Sequence, residues 1–251
     1  MKKVLSTVTE ERADVPDSAY EKSDVESVVF GSNVRTIGKS AFGGCEKLKE
    51  ISFNKGLLKI DDWAFSGCFN VKDLSLPKGL VAIGNFAFCG LRKIKSVVVP
   101  SVLLLGEGAF TGCEKLADAR IASPVCDVPD HFFDSCKSLV RMEADGFLDR
   151  VGEHAFFACE KLEGLYGEYY SKGGLRYISD YAFYGCSSLK EIVISGEVEY
   201  VGEYAFAGCV SLRTLVFSGT MKQFSHVKFG DNAFRGLKTL EVVCLDKKFT
   251  L

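Results

Sequence analysis

The chain has 251 residues, 47% of them hydrophobic, with 31 Lys and Arg against 33 Asp and Glu for a formal charge of -2 at pH 7. That balance favours neither nucleic acid nor anionic lipid as a partner. No run approaches the roughly 18 continuous apolar residues of a membrane-spanning helix.

The first 24 residues carry four basic and six acidic side chains, so they hold the entire net charge. Met1-Lys2-Lys3 begins like a secretory signal, but Ser6, Thr7 and Glu10-Glu11-Arg12 leave no apolar segment behind it. As written, the chain reads as cytoplasmic, or as cell-surface or secreted if an upstream signal was removed. Residues 1–24 are expected to form a polar N-terminal cap or arm. Residues 25–251 are expected to form one solenoid domain, with Val25, Val28 and Phe30 opening it as a first strand.

From residue 34 onward one signature, Ala-Phe-x-Gly-Cys, recurs nine times, with its Phe at 42, 65, 88, 110, 133, 156, 183, 206 and 234 and spacings of 23, 23, 22, 23, 23, 27, 23 and 28 residues. A fixed period of this size marks a solenoid in which each repeat, or rung, buries its apolar face against its neighbours. Leu48, Ile51 and Phe53, then Val71, Leu74 and Leu76, then Ile94, Val97 and Val99 alternate as a short strand requires. Pro77 and Pro100 close two of these strands. Apolar pairs such as Leu58 and Ile60, or Val81 and Ile83, bring the chain back to the core. Three residues before each Phe stand Lys39, Asp62, Asn85, Glu107, Asp130, Glu153, Asp180, Glu203 and Asp231, seven of the nine acidic. With Gly two residues after most of the Phe, this pattern predicts a helix of one or two turns, capped at its start by the acid and ended by the Gly. The expected class is therefore an α/β solenoid of rungs about 22–23 residues long, each a strand plus a short helix.

Two rungs are longer than the rest. Eight of the nine Tyr lie between 166 and 204, and Tyr166, Tyr169, Tyr170 and Tyr177 span the four-residue insertion of the sixth interval. Insertions in repeat arrays map to one face, often the binding face, and Tyr gives large contact area at low entropy cost. Tyr166 takes an outward strand position, flanked in the repeat frame by Glu143, Arg141, Arg120 and Asp118. These residues form the candidate binding patch, although Tyr can equally stand in for Phe and shield an extended loop. The second insertion, residues 218–230 with Met221, Phe224 and His226, is a weaker candidate. At the C-terminus a last strand and the basic pair Lys247-Lys248 are expected to blunt the open edge.

The pattern Ile-Gly-x-x-Ala-Phe-x-Gly-Cys-x-x-Leu-x-x-Ile-x-Leu-Pro is nearly whole in residues 37–53 and 60–77. It resembles the BspA-like, or Treponema-type, leucine-rich repeat family over residues 25–245. Departures are local: Phe132 for Ala, Ser135 for Gly, and Leu91 and Leu237 for Cys. The resemblance implies a right-handed, curved leucine-rich-repeat superhelix that uses its strand-lined concave face for recognition or adhesion. Host or matrix proteins, or copies of itself, are then the expected partners, and the molecule a monomer or weakly self-associating. Alternatives are a carbohydrate-binding surface protein and an intracellular scaffold.

No chemistry-bearing constellation stands out. Seven of ten Cys (45, 68, 113, 136, 159, 186 and 209) share one repeat position, where parallel side chains favour buried free thiols over disulfides. Cys244 falls at an outward strand position and is expected to be exposed and reactive. His131 and His154 also share a column, with Trp63, Phe86, Gly108, Tyr181 and Tyr204, which reads as flat-ring packing rather than a metal site. The phosphate-loop, nucleophile-elbow and zinc-protease signatures are absent. No catalytic residue, metal or cofactor is expected.

Overall fold

Alternating apolar residues, repeated at a fixed period, have only their neighbouring rungs to pair with, and the chain folds accordingly. The computed structural model describes residues 7–167 and 173–251, which wind into a β-solenoid of ten rungs with three sides. On the first side lie Ser27–Phe30, Glu50–Ser52, Ser96–Val99, Asp118–Ile121, Arg141–Ala144, Gly164–Tyr166, Glu191–Ile194, Thr214–Phe217 and Glu241–Val243. They pair parallel and in register, so that Val97, Ala119, Met142 and Leu165 stack inward as one column. The side is split into three sheets. Residues 71–76 make no strand and interrupt it between Glu50–Ser52 and Ser96–Val99, and the ladder breaks again between Gly164–Tyr166 and Glu191–Ile194, where Leu175 makes an isolated bridge to Ile194.

The apolar pairs after each turn form strands of their own. Asp14–Val15, Thr36–Ile37, Lys59–Ile60, Ala82–Ile83 and Leu104–Leu105 make one parallel sheet, and Val125–Val128, Phe147–Val151, Tyr177–Ile178, Tyr200–Val201 and Lys228–Phe229 make another.

The helix expected over each signature is not there. The residue two before each Phe and the residue two after it are both left-handed, from Ser40 at φ 52° and Gly44 at φ 68° to Asn232 at φ 57° and Gly236 at φ 91°. Alternating handedness sends successive N–H groups in opposite directions. Those of Ser40, Phe42 and Gly44 donate across to the carbonyls of Asp62, Ala64 and Ser66 at 2.7–2.9 Å, while Ala41, Gly43 and Cys45 close local turns. A helix keeps all its hydrogen bonds within one rung, whereas this path ties each rung to the next. Three of the acids before the Phe serve the same purpose, as do Asn85 and the equivalent Asp17: the side chains of Asp17, Asp62, Asn85, Asp130 and Asp180 accept the backbone N–H of the equivalent residue one rung later at 2.8–2.9 Å.

The N-terminal segment contains a rung that its sequence disguises. Ser18 and Lys22 are left-handed at φ 52° and 53°, Tyr20 donates its N–H to Ala41, and its ring stacks on Phe42 at 4.9 Å. Tyr20 thus occupies the Phe position, with Lys22 where Gly usually stands.

Inside, the Phe rings stack one per rung at 5.2–6.0 Å from Phe42 to Phe234, and Ala, Cys and Leu of the signature are buried beside them. The nine described cysteines are free thiols. From Cys136 to Cys209, each column thiol donates to the carbonyl of the preceding rung's Phe at 3.1–3.2 Å. That gives a reason for Cys over Ala: a small hydrophobe that also serves a buried acceptor.

At the C-terminus the stacking stops by reversal. Lys248–Thr250 folds back antiparallel on Glu241–Val243. Residues 218–230 build the end of the stack, because the four-residue α-helix Met221–Phe224 is fixed by a Thr220–Gln223 capping box and buries Phe224 against Phe217 and Phe249. Its Phe224 belongs to the core. Cys244 is buried at 7% exposure in the hairpin turn, contrary to the exposed position read from strand alternation.

Candidate functional site

Parallel, in-register pairing on the first side sets outward residues in columns one rung apart. Asp118 pairs with Arg141, and Arg120 with Glu143 and then Tyr166, so five of the sequence-predicted residues meet on three adjacent strands. Arg120 grips Asp145 with two hydrogen bonds of 2.7 and 2.8 Å, Arg141 lies 3.3 Å from Glu143, and the Arg141 guanidinium sits 4.5 Å from the Tyr166 ring centroid. The result is a mixed-charge patch with one aromatic, its long side chains held by one another rather than free. Tyr169 and Tyr170 lie outside the described residues. Tyr177 is not part of this patch, because it stands on the second sheet side, 57% exposed.

That second side carries a groove of about 720 Å³ that the sequence reading missed. Tyr177 and Tyr200 stand in one outward column with Arg150 on the preceding rung. Around them lie Asp127, Asp149, Glu153, Asp180, Glu197 and Glu199, with Arg176 bound to Asp149 and 3.5 Å from Glu197. Burial, and then Asp180, Glu203 and Asp231, push the Tyr200 phenol above its ordinary pKa. The signal was visible as Glu and Asp crowding the residues after each turn, but a tally of net charge hides it.

The ring column is built as the sequence suggested. His131, His154, Tyr181 and Tyr204 stack at 4.9–5.1 Å within 9° of parallel, and Trp63 stacks on Phe86 at 4.4 Å. Gly108 makes room for that pair, since a Cβ there would fall 2.2 Å from the Phe86 ring. His131 Nδ1 is hydrogen-bonded to Asp134 at 3.1 Å, whereas His154 Nδ1, 3.3 Å from Glu153, is buried without a hydrogen-bond partner among the described residues. Among the described residues no group of three His, Cys, Asp or Glu is placed to hold a metal ion, and no helix is long and apolar enough to cross a membrane.

The BspA type leucine rich repeat region matches residues 13–140 and 104–241, in six copies. The chain belongs to that family. A leucine-rich repeat protein of T. pallidum is similar at 28% identity and a TM-score of 0.57, over 65% of this chain and 86% of that one. A leucine-rich repeat protein of Bacteroides ovatus shares the fold at 20% identity and a TM-score of 0.50, over 94% and 86%. No curated protein matches the chain.

Proposed function

We propose that this repeat protein is a non-enzymatic recognition module that binds another protein through the first side of the solenoid, at Asp118, Arg120, Arg141, Glu143 and Tyr166. The Arg141–Tyr166 stack, fixed between Glu143 and the neighbouring strands, carries the reading. Tyr and Arg dominate binding energy at protein interfaces, and a pair already ordered in the free protein loses little entropy on docking. Repeat proteins of the family offer such columns as extended binding surfaces. Adhesion is the cellular role that fits. The second-side groove with Tyr177 and Tyr200 offers the same residue types on a separate surface.

The test is affinity capture with the immobilised chain and mass spectrometry, beside a Tyr166→Ser/Arg141→Ser variant. Loss of one hot-spot pair, about 2 kcal/mol or more, weakens the captured partner on the order of 30-fold. Equal capture by a variant with an unchanged melting temperature removes the patch from the mechanism.

A further inference from the structure

The interruption of the first side at residues 71–76 opens a second surface. A cleft of about 500 Å³ lies there, lined by Lys72, Lys93, Lys95 and Lys115 with Ser75 and Ser96, against the single acid Asp73. Elsewhere in the column of Lys72 and Lys95 a lysine has an acid on the rung before it. Lys49 binds Glu26 at 2.8 Å and Lys190 binds Glu163 at 3.0 Å. Lys47 likewise meets Asp24 at 3.0 Å. In the repeat frame, however, Lys72 follows Lys49 and Lys95 follows Lys72, so three ammonium groups succeed one another with the only acid below the first. Among the described residues Lys72, Lys95 and Lys115 have no carboxylate partner, and Lys93 reaches only the Asn70 side chain. Like charges on adjacent rungs repel, and nothing in the fold asks for them, since other rungs place Ala117 or Val140 at the same position.

The backbone is open at the same place. Asp73, Leu74, Ser75 and Leu76 donate no backbone hydrogen bond to a neighbouring rung, where every other rung of the first side from Ser27 to Val243 is joined to at least one neighbour by a strand ladder. Unsatisfied donors and acceptors beside unpaired cations form a surface whose complement is anionic and itself carries donors and acceptors.

We infer that this cleft docks an extended acidic segment, rich in Asp and Glu, of a partner protein. The lining has no aromatic ring for base stacking and no Arg fork for bidentate phosphate contact, which are the features nucleic-acid sites use. A peptide backbone matches open N–H and C=O groups together, and Lys supplies point charges suited to carboxylates at varied positions.

The experiment is fluorescence anisotropy with a labelled decaglutamate peptide on the full chain. Binding is expected, falling as salt rises. A Lys72→Gln/Lys95→Gln/Lys115→Gln variant loses affinity tenfold or more, while Lys137→Gln/Lys161→Gln/Lys238→Gln, with the same change in charge, stays within twofold. If the first triple variant folds poorly, Lys95→Glu alone carries the comparison. No binding, or equal loss in both triple variants, overturns the inference. So does a heparin decasaccharide that competes through the same lysines at tenfold higher affinity, which assigns the cleft to sulfated glycans. Tyr166→Ser/Arg141→Ser leaves decaglutamate binding unchanged, so this cleft and the Tyr166 patch stand or fall separately.

Discussion

The two left-handed positions that flank each Phe decide what a rung tolerates. After the Phe, seven rungs place Gly there, while Ser135 at φ 59° and Ala158 at φ 53° hold a conformation costly for a side chain. The penalty is about 1–2 kcal/mol per residue, offset in part by the extra chain entropy Gly brings to the unfolded state. Ala158→Gly is therefore expected to stabilise the protein by about 0.5–1 kcal/mol and Gly208→Ala to destabilise it by about 1 kcal/mol. A Cβ on Gly208 meets its nearest neighbour at 3.4 Å, so backbone strain and not a clash sets the cost. Paired urea titrations read both, and opposite signs would refute the role given to handedness. The column thiols add a pH dependence. Burial raises Cys68, Cys113, Cys136, Cys159 and Cys186, and pushes Cys209 up to about 12. A thiol whose folded pKa exceeds its unfolded one holds its proton longer in the folded state. Its stabilising contribution is full below about pH 8.5 and is lost as pH rises toward the folded value, at about 1.4 kcal/mol per pH unit per thiol. Urea midpoints are expected to be flat from pH 7 to 8 and to fall steeply above 9. Cys209→Ala removes one thiol's share of that slope, and an unaltered slope would show that other groups set it.

At the scale of elements, the first-side strands apart from residues 71–76, which alternate in sequence yet make no strand, the rung count from Phe42 onward and the ring column were legible because their signals are apolar period and aromatic identity. The signature segment looks helical in sequence because six of the nine left-handed positions before the Phe carry Trp63, Phe86, His131, His154, Tyr181 and Tyr204. Bulky residues disguise a conformation that Gly would have announced. The Tyr20 rung was hidden the same way, by Lys22 at the usual Gly position. The Asp118, Arg120, Arg141, Glu143 and Tyr166 columns were legible since register follows from the period. Tyr177 falls outside the patch because its rung carries a second strand, Tyr177–Ile178, which a single strand per rung does not foretell. Cys244 was misplaced because alternation does not foretell a hairpin turn. That hairpin ends the stack, and Phe249 secures it against Phe224 at 5.4 Å. Removing residues 246–251 bares the edge of Glu241–Val243 with Val242 beneath it, and open edges pair with other chains. Size exclusion with light scattering is expected to show the truncated chain shifted to higher mass than the full one at equal concentration. Identical masses would mean that the edge is protected some other way.

For the whole molecule, a net charge of -2 conceals surfaces of opposite sign, the lysine cleft on one side of the solenoid and the acidic groove on another. Columns segregate charge that composition averages away. Stability is distributed in the same linear fashion, since each rung touches only its neighbours and the array behaves as intrinsic rung terms plus interfaces. An interior ring serves two interfaces and a terminal ring about one. Phe110 is fully buried, with Phe88 at 5.4 Å on one side and Phe132 and Phe133 at 5.4 and 6.0 Å on the other. Phe234, near the C-terminal end, stacks on Phe206 at 5.6 Å and is only partly buried. Phe110→Ala costs about 3–5 kcal/mol by lost burial and cavity. Because that cost falls on the coupling between two halves, the urea transition is expected to separate into two steps, the first with a lower m-value than the wild-type transition. Phe234→Ala is expected to keep one transition with a smaller loss, and hydrogen exchange to quicken only in the last rungs. A single transition of unchanged m-value in Phe110→Ala would show coupling that spans more than nearest neighbours. The hairpin and the aromatic cluster of Phe217, Phe224 and Phe249 would then act as an anchor for the entire stack.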